Sequence, residues 1–289
     1  MKRIFLASCL LLSSCGGSQS ADGPTAKAEN ELETASLKLY ALDCGKIDML
    51  DLSIFDSGGA YEGRSNKAVD TCYLVRHPKG DLLWDAGLPD AINAIEGGVT
   101  NGPFHIEVPV TLKSQLADLD VTPDTLDFFS ISHSHFDHVG NAGQYAKATF
   151  IVNKTERDFM FRDDARKAED QFPAYAALET AETITFTGTY DVFGDGSVTI
   201  VDMPGHTPGH TVLKIDLANT GTVLLTGDLY HLYEAREKRT VPVFNTDKEQ
   251  TLASMDKFED LTKETGARVI IQHSTKDYDA LPKPPQYLD

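Results

Sequence analysis

Ser130-Ile131-Ser132-His133-Ser134-His135-Phe136-Asp137-His138-Val139-Gly140-Asn141 carries four metal-binding side chains within six residues, in the pattern His-x-His-x-Asp-His. An apolar run from Leu126 to Ile131, interrupted by Asp127 and Ser130, leads into it and predicts a buried strand. The stretch 139–148 predicts a short helix. The four groups therefore fall on a strand-to-helix turn, where side chains converge on one point. Imidazole nitrogen and carboxylate oxygen together suit Zn²⁺ and similar first-row metals. A lone His on a loop is usually solvated surface. Four such groups beside an apolar strand form a polar knot, which costs free energy unless it binds something.

The chain has 289 residues, enough for one large domain or two modest ones with a sizeable core. No linker composition interrupts it after residue 36. Lys and Arg number 26 against 44 Asp and Glu, a net charge of −18. Such a chain is a poor partner for nucleic acid, because phosphate neutralisation needs clustered Lys and Arg. A polyanionic substrate is disfavoured too, unless a local basic pocket overrides the average.

Lys2 and Arg3 followed by the short apolar run Ile4 to Leu12 read as a targeting segment, too short to be a permanent membrane span. Leu12-Ser13-Ser14-Cys15 looks like a bacterial lipobox, which implies removal of 1–14 and lipid on Cys15. An ordinary secretory signal cleaved nearby is the alternative. Composition rich in Gly, Ser, Ala and charge makes 15–36 a flexible tether and 37–289 the folded domain. The expected location is the periplasm or cell surface, with membrane contact only through Cys15. Cys44 and Cys72 remain as an even pair. In an oxidising compartment they form either a disulfide or two buried thiols.

Strands are predicted over 37–44, 71–76 and 81–84, the last two joined by the turn Pro78-Lys79-Gly80. The stretch 96–108 reads as a Gly-rich loop, 111–119 as helix and 148–152 as strand. A charged, Phe-rich stretch at 154–180 reads as helix broken near Pro173, its charge run a solvated face. Further strands are predicted at 183–186, 198–201, 212–215, 223–226 and 267–272. Thr246 reads as the N-cap of a helix over 248–265, with Leu252, Met255, Phe258 and Leu261 at helical spacing and Gly266 as its stop. Both halves run strands first and helices after. A two-sheet sandwich with helices outside is the natural packing.

Three more candidate ligands end predicted strands: His206 in Met203-Pro204-Gly205-His206-Thr207-Pro208-Gly209-His210, Asp228 in Thr226-Gly227-Asp228, and His273 after Val269-Ile270-Ile271-Gln272. An isolated strand-end Asp or His is more often a cap, but together with the first cluster these form a set.

With these motifs in place, and Leu82-Leu83-Trp84-Asp85-Ala86-Gly87 as an upstream strand, the chain resembles the metallo-β-lactamase superfamily over roughly 37–282. Within it, the chain is most similar to the N-acyl-homoserine lactonase branch. The resemblance implies an α+β domain, a four-layer αββα sandwich. It also implies two Zn²⁺ or similar ions, one held by His133, His135 and His206, the other by Asp137, His138 and His273, with Asp228 bridging. Seven side chains also exceed what one tetrahedral zinc takes. His210 would support its loop and Asp85 would orient a ligand His.

The implied activity is opening of a lactone ring by metal-activated hydroxide, with Asp137 as proton shuttle. Lactonases of this branch place a Tyr three residues after the bridging Asp. Here Tyr230 stands at plus two and His231 at plus three, so either is a candidate donor to the substrate carbonyl. The expected substrate is small and neutral with an apolar tail, for which Phe104, Phe159, Phe161, Phe172 and Tyr175 are candidate groove residues. Another ester, thioester or lactam is the alternative. A thioester of glutathione is anionic, and no basic cluster lies near the motifs. Family β-lactamases lack a carboxylate at the Asp228 position. A metal-binding surface lipoprotein without catalysis is a more distant reading.

Overall fold

The computed structural model describes residues 36–289. The expected signal, the Cys15 expected to carry lipid and nearly all of the expected tether lie outside the described residues. Among the described residues, no helix is long and apolar enough to cross a membrane.

Eight strands form the first sheet: β1 (Lys38–Met49), β2 (Asn66–His77), β3 (Gly80–Trp84), β4 (Val99–Asn101), β5 (Phe104–Glu107), β6 (Phe128–Ser130), β7 (Thr149–Asn153) and β8 (Thr183–Phe186). Their spatial order is β4-β5-β1-β2-β3-β6-β7-β8. The second sheet holds β9 (Thr189–Asp191), β10 (Val198–Asp202), β11 (Thr211–Leu217), β12 (Gly221–Leu225) and β13 (Arg268–Ile270), in the order β13-β12-β11-β10-β9. Both sheets are mixed: β3, β6, β7 and β8 run parallel, as do β12 and β13, and the other pairs are antiparallel.

Side chains alternate across a strand, so each strand feeds two layers. Leu39, Ala41, Tyr73, Val75, Leu82 and Trp84 pack with Ile200, Leu213, Ile215, Val223 and Leu225 of the second sheet. Their neighbours Tyr40, Leu42, Leu74 and Leu83 pack instead with Leu112 and Leu116 of helix Leu112–Ala117 and with Val139 and Tyr145. On the far side, Val201, Val212 and Leu224 meet Met255 and Phe258 of helix Lys248–Thr265. Each of those two side chains contributes roughly 1.5–3 kcal/mol by leaving water. The result is the αββα sandwich.

Several boundaries differ from the sequence reading. Asp247, not Thr246, caps helix Lys248–Thr265: its backbone is extended and its carboxylate accepts from the N–H of Gln250. Gly266 ends that helix in the left-handed conformation, φ 63°. The segment 96–108 is not a loop. It forms the β4–β5 hairpin, turning at Gly102, and β5 pairs with the far half of β1. A register shift between Asp43 and Gly45 lets β1 run on to Met49 rather than stop at 44. Helix 139–148 is instead a helix Phe136–Val139 followed by a 3-10 turn Ala142–Tyr145. Pro173 stands in the first turn of helix Phe172–Tyr175, where its missing N–H costs nothing. Short helices Tyr233–Lys238 and Thr275–Ala280 add to the elements read from the sequence.

Cys44 and Cys72 are joined by a disulfide that ties β1 to β2. Gly87, at φ 60°, lies directly over it. A Cβ there would sit 2.3 Å from Cys44 Cβ.

Candidate metal centre

The sandwich turns five strand ends toward one edge. β3 is followed by Asp85, β6 by His133, β10 by His206, β12 by Asp228 and β13 by His273. His138 lies in the short helix Phe136–Val139, one turn after His135. The first sheet thus supplies four of the seven candidates and the second sheet three.

They form two groups. Donor atoms of His133, His135, His206 and Asp228 lie within 4.8 Å of one another, as do those of Asp137, His138 and His273. Asp228 stands between the groups and shows a different oxygen to each. Its Oδ2 lies 3.6 Å from His133 Nε2 and 3.4 Å from His206 Nε2. Its Oδ1 lies 3.2 Å from His138 Nε2 and 2.9 Å from His273 Nε2. His206 Nε2 and His135 Nδ1 face each other across 3.0 Å. Asp137 completes the second group, 3.9 Å from His138 Nε2 and 3.8 Å from His273 Nε2.

The surroundings orient these rings. His133 Nδ1 meets Ser132 Oγ at 3.1 Å, His138 Nδ1 meets Asp85 Oδ2 at 2.9 Å, His206 Nδ1 meets Asn245 Oδ1 at 3.2 Å, and His273 Nδ1 meets the Val69 carbonyl at 2.9 Å. Each partner can accept the Nδ1 proton, which leaves Nε2 as a lone pair aimed inward. Nε2 of His133 and of His138 is buried without a hydrogen-bond partner. An orphaned nitrogen of that kind is costly unless a cation takes it. Burial, then the neighbouring imidazoles, push His133 and His135 well below the usual histidine range, so both present neutral nitrogen.

Asp85 accepts from Ser132 N–H (2.6 Å), Ser132 Oγ (2.9 Å) and Gln272 Nε2 (2.8 Å) as well as His138. It holds a left-handed backbone, φ 62°, uncommon for a residue with a side chain. The fully buried carboxylate keeps that conformation because all four partners are fixed by both sheets.

The donor set fits two divalent cations. His133, His135 and His206 would hold one, Asp137, His138 and His273 the other, with one oxygen of Asp228 for each. Ser132, Asn245, Gln272 and Glu156 also support the site, and sequence reasoning misses them. No local spacing marks them.

Of the two candidate carbonyl donors, only His231 reaches the centre. Its Nε2 is 3.0 Å from Asp228 Oδ2, and its ring lies 5.0 Å from Phe55. Tyr230 points the other way, a correction to the sequence reading. Its hydroxyl donates to Glu259 Oε1 at 2.9 Å and its ring packs on Phe258 outside the second sheet. Alternation along the extended backbone at Tyr230 puts the two side chains on opposite sides.

A cavity opens onto the centre. Its walls are Ile47, Met49, Phe55, Phe104, Phe136 and Phe244, and its floor is His135, Asp137, Asp228, His231 and His273. Of the expected groove residues only Phe104 lines it. Phe161, Phe172 and Tyr175 belong to the core outside the first sheet, and Phe159 lies under the Arg162 guanidinium. The sequence places Phe104 on a loop; the hairpin pairing with β1 is what brings it beside Met49.

The profile of the Metallo-beta-lactamase superfamily matches residues 69–273, and the chain belongs to that superfamily. Among curated relatives it is similar to the N-acyl homoserine lactonase AttM of Azorhizobium caulinodans, 28% identical over 265 residues, covering 88% of this chain and 99% of the relative. The N-acyl homoserine lactonase AiiA of Bacillus thuringiensis subsp. kurstaki is 29% identical over 261 residues, covering 87% and 98%. A solved N-acyl homoserine lactone hydrolase, with the product N-hexanoyl-L-homoserine at its catalytic metal center, superposes with a TM-score of 0.72. It is 26% identical and covers 88% of this chain and 100% of that one.

Proposed function

We propose that this metal-dependent hydrolase opens the ring of N-acyl-homoserine lactones, using two zinc or similar first-row ions. The observation that carries the reading is the cavity itself: apolar walls lead directly to Asp228 and His273, and among the described residues no Lys or Arg lines it. A neutral ring with an apolar tail suits such a cavity, whereas an anionic thioester would be desolvated there without a partner. The similarity to lactonases over most of the chain supports the same reading.

When bound, a pair of divalent cations acidifies water and polarises a carbonyl oxygen. The protein's own groups do the rest. Phe55, Phe104 and Phe244 hold the tail and exclude water, so the lactone carbonyl is presented at the floor. His231, at the edge of that floor, donates a hydrogen bond to the carbonyl oxygen as charge develops on it. Asp137, which borders the same cavity, carries a proton to the ring oxygen as the C–O bond breaks. His231 in place of a Tyr favours a second reading, a wider range of lactones and esters, because an imidazole donates from a shorter side chain.

The test is a panel of acyl-homoserine lactones, simple lactones, aryl esters and β-lactams with purified mature protein. Highest kcat/KM on the acyl-homoserine lactones supports the reading. Turnover restricted to β-lactams or aryl esters overturns it. Metal binding without turnover of any of them points to a non-catalytic role.

We also propose that the chain is exported and anchored through Cys15. The Leu12-Ser13-Ser14-Cys15 sequence supports this, and so does the Cys44–Cys72 disulfide, which suits an oxidising compartment. Incorporation of labelled palmitate that disappears in Cys15→Ser tests it. Equal labelling of both forms counts against it.

A further inference from the structure

The charged stretch 154–180 hides one residue that is not solvated. Glu156 is 1% exposed, at the start of helix Lys154–Met160. Its Oε1 accepts from Ser134 N–H at 2.8 Å and Ser134 Oγ at 2.6 Å. Its Oε2 accepts from Thr207 Oγ1 at 2.7 Å and Gly209 N–H at 3.0 Å. Among the described residues it has no cationic partner within ion-pair distance. Burial pushes its carboxyl above the usual range, and the four donors offset that only in part. Each oxygen faces a backbone N–H, a group that can only donate, so the arrangement suits the ionised form.

Those donors lie on the two loops that carry the first metal group. Ser134 lies between His133 and His135, Thr207 follows His206, and Gly209 precedes His210. A Cβ on Gly209 would fall 2.2 Å from the Glu156 nitrogen, so only glycine lets the His206 loop come this close. Burying an unpaired carboxylate is a poor route to stability alone. One that joins two ligand loops from different sheets has another use.

We infer that Glu156 is the positioning residue of the His133–His135–His206 group. Its carboxylate holds the turn from the first sheet in register with the loop from the second, so that three imidazoles meet at one point. The Asp137–His138–His273 group is anchored elsewhere, by Asp85 and the Val69 carbonyl, and touches Glu156 nowhere. The effect of Glu156 is therefore selective for one of two cations. This rests on the two-metal reading but not on the identity of the substrate.

The experiment titrates metal-depleted wild type, Glu156→Gln and Thr207→Val with Zn²⁺ against a competing chelator. It also records visible spectra of the Co²⁺-loaded forms. His206→Asn serves as the spectral reference for loss of the first group. In Glu156→Gln one metal should bind about ten- to a hundredfold more weakly while the other keeps its affinity, because the support of a ligand rather than a ligand is altered. The spectral component lost should be the one lost in His206→Asn. Thr207→Val, which removes one donor of four, should show a smaller loss at the same site. Equal weakening of both metals, or unchanged affinities alongside a lower melting temperature, overturns the inference. Should Glu156→Gln fail to fold, Thr207→Val and Ser134→Ala decide the matter. Unchanged first-site affinity in both also overturns it. These readouts need no substrate, so they stand apart from any failure of the lactonase proposal.

Discussion

The backbone N–H of Asp228 donates to Nε2 of His210 across 3.0 Å, while Nδ1 of the same ring donates to the Met203 carbonyl at 3.0 Å. His210 is thus not aimed at the metal groups. It clips the backbone of Asp228, whose carboxylate stands between them, to the loop that carries His206. Burial, then His206, push its pKa down to about 3, which keeps the ring neutral and able to accept.

Replacing His210 with Ala should leave the Asp228 N–H buried and unpaired, at a cost of about 1–3 kcal/mol. Thermal melting of the metal-depleted protein should show the loss, and metal content should fall with it. His210→Gln, which can still accept, should recover part of both. Equal metal content and melting in wild type and His210→Ala would show that the clip does not matter.

The opposite facings of Tyr230 and His231 predict opposite phenotypes. Tyr230→Phe should keep kcat and lose about 1 kcal/mol of stability, the worth of its hydrogen bond to Glu259. His231→Ala should keep both metals and lower kcat about a hundredfold, as removal of a carbonyl donor does. Steady-state kinetics with metal analysis distinguishes them. A kcat lost in Tyr230→Phe and kept in His231→Ala would reverse the assignment.

Apolar cavity walls predict sensitivity to tail length. Each methylene buried is worth about 0.8 kcal/mol, close to a fourfold fall in KM per carbon until the cavity is full. Phe104→Ala should raise KM for long acyl chains more than for short ones. A uniform rise across the series would place the tail elsewhere.

Cross-linking Cys44 and Cys72, 28 residues apart, should stabilise the domain by about 3–4 kcal/mol through the unfolded chain. Cys44→Ser with Cys72→Ser should lower the melting temperature accordingly. Gly87 rests on the disulfide and follows Asp85, the residue that orients His138, so metal retention in the second group should also weaken. Unchanged metal affinity in the double variant would separate the cross-link from the site.

The legible parts of this protein are the local ones. His133, His135, Asp137 and His138 can be read together because one turn of backbone brings them to one point. His206, Asp228 and His273 can be added because each follows an apolar run that has to be a buried strand. The helix over Lys248–Thr265 announces itself by its apolar spacing and its terminal Gly266, although Asp247 rather than Thr246 is the cap.

Glu156 is the clearest failure. Among the charges of 154–180 it carries no mark that separates it from its solvated neighbours. What buries it is the loop after β10, which brings Thr207 and Gly209 onto its carboxylate from 51 and 53 residues further along the chain. The 96–108 segment fails similarly. Its glycines look like a loop until β5 meets the end of β1, and that pairing builds the cavity wall.

Residue types, their order and their strand-end positions were determined by the sequence alone, because coordination chemistry and hydrophobic periodicity act over a few residues. Tertiary structure decided which oxygen of Asp228 faces which group, which of Tyr230 and His231 enters the site, and which aromatic rings line the cavity. Those outcomes depend on partners brought together from distant parts of the chain, and a charge or a ring is buried only where such partners meet it.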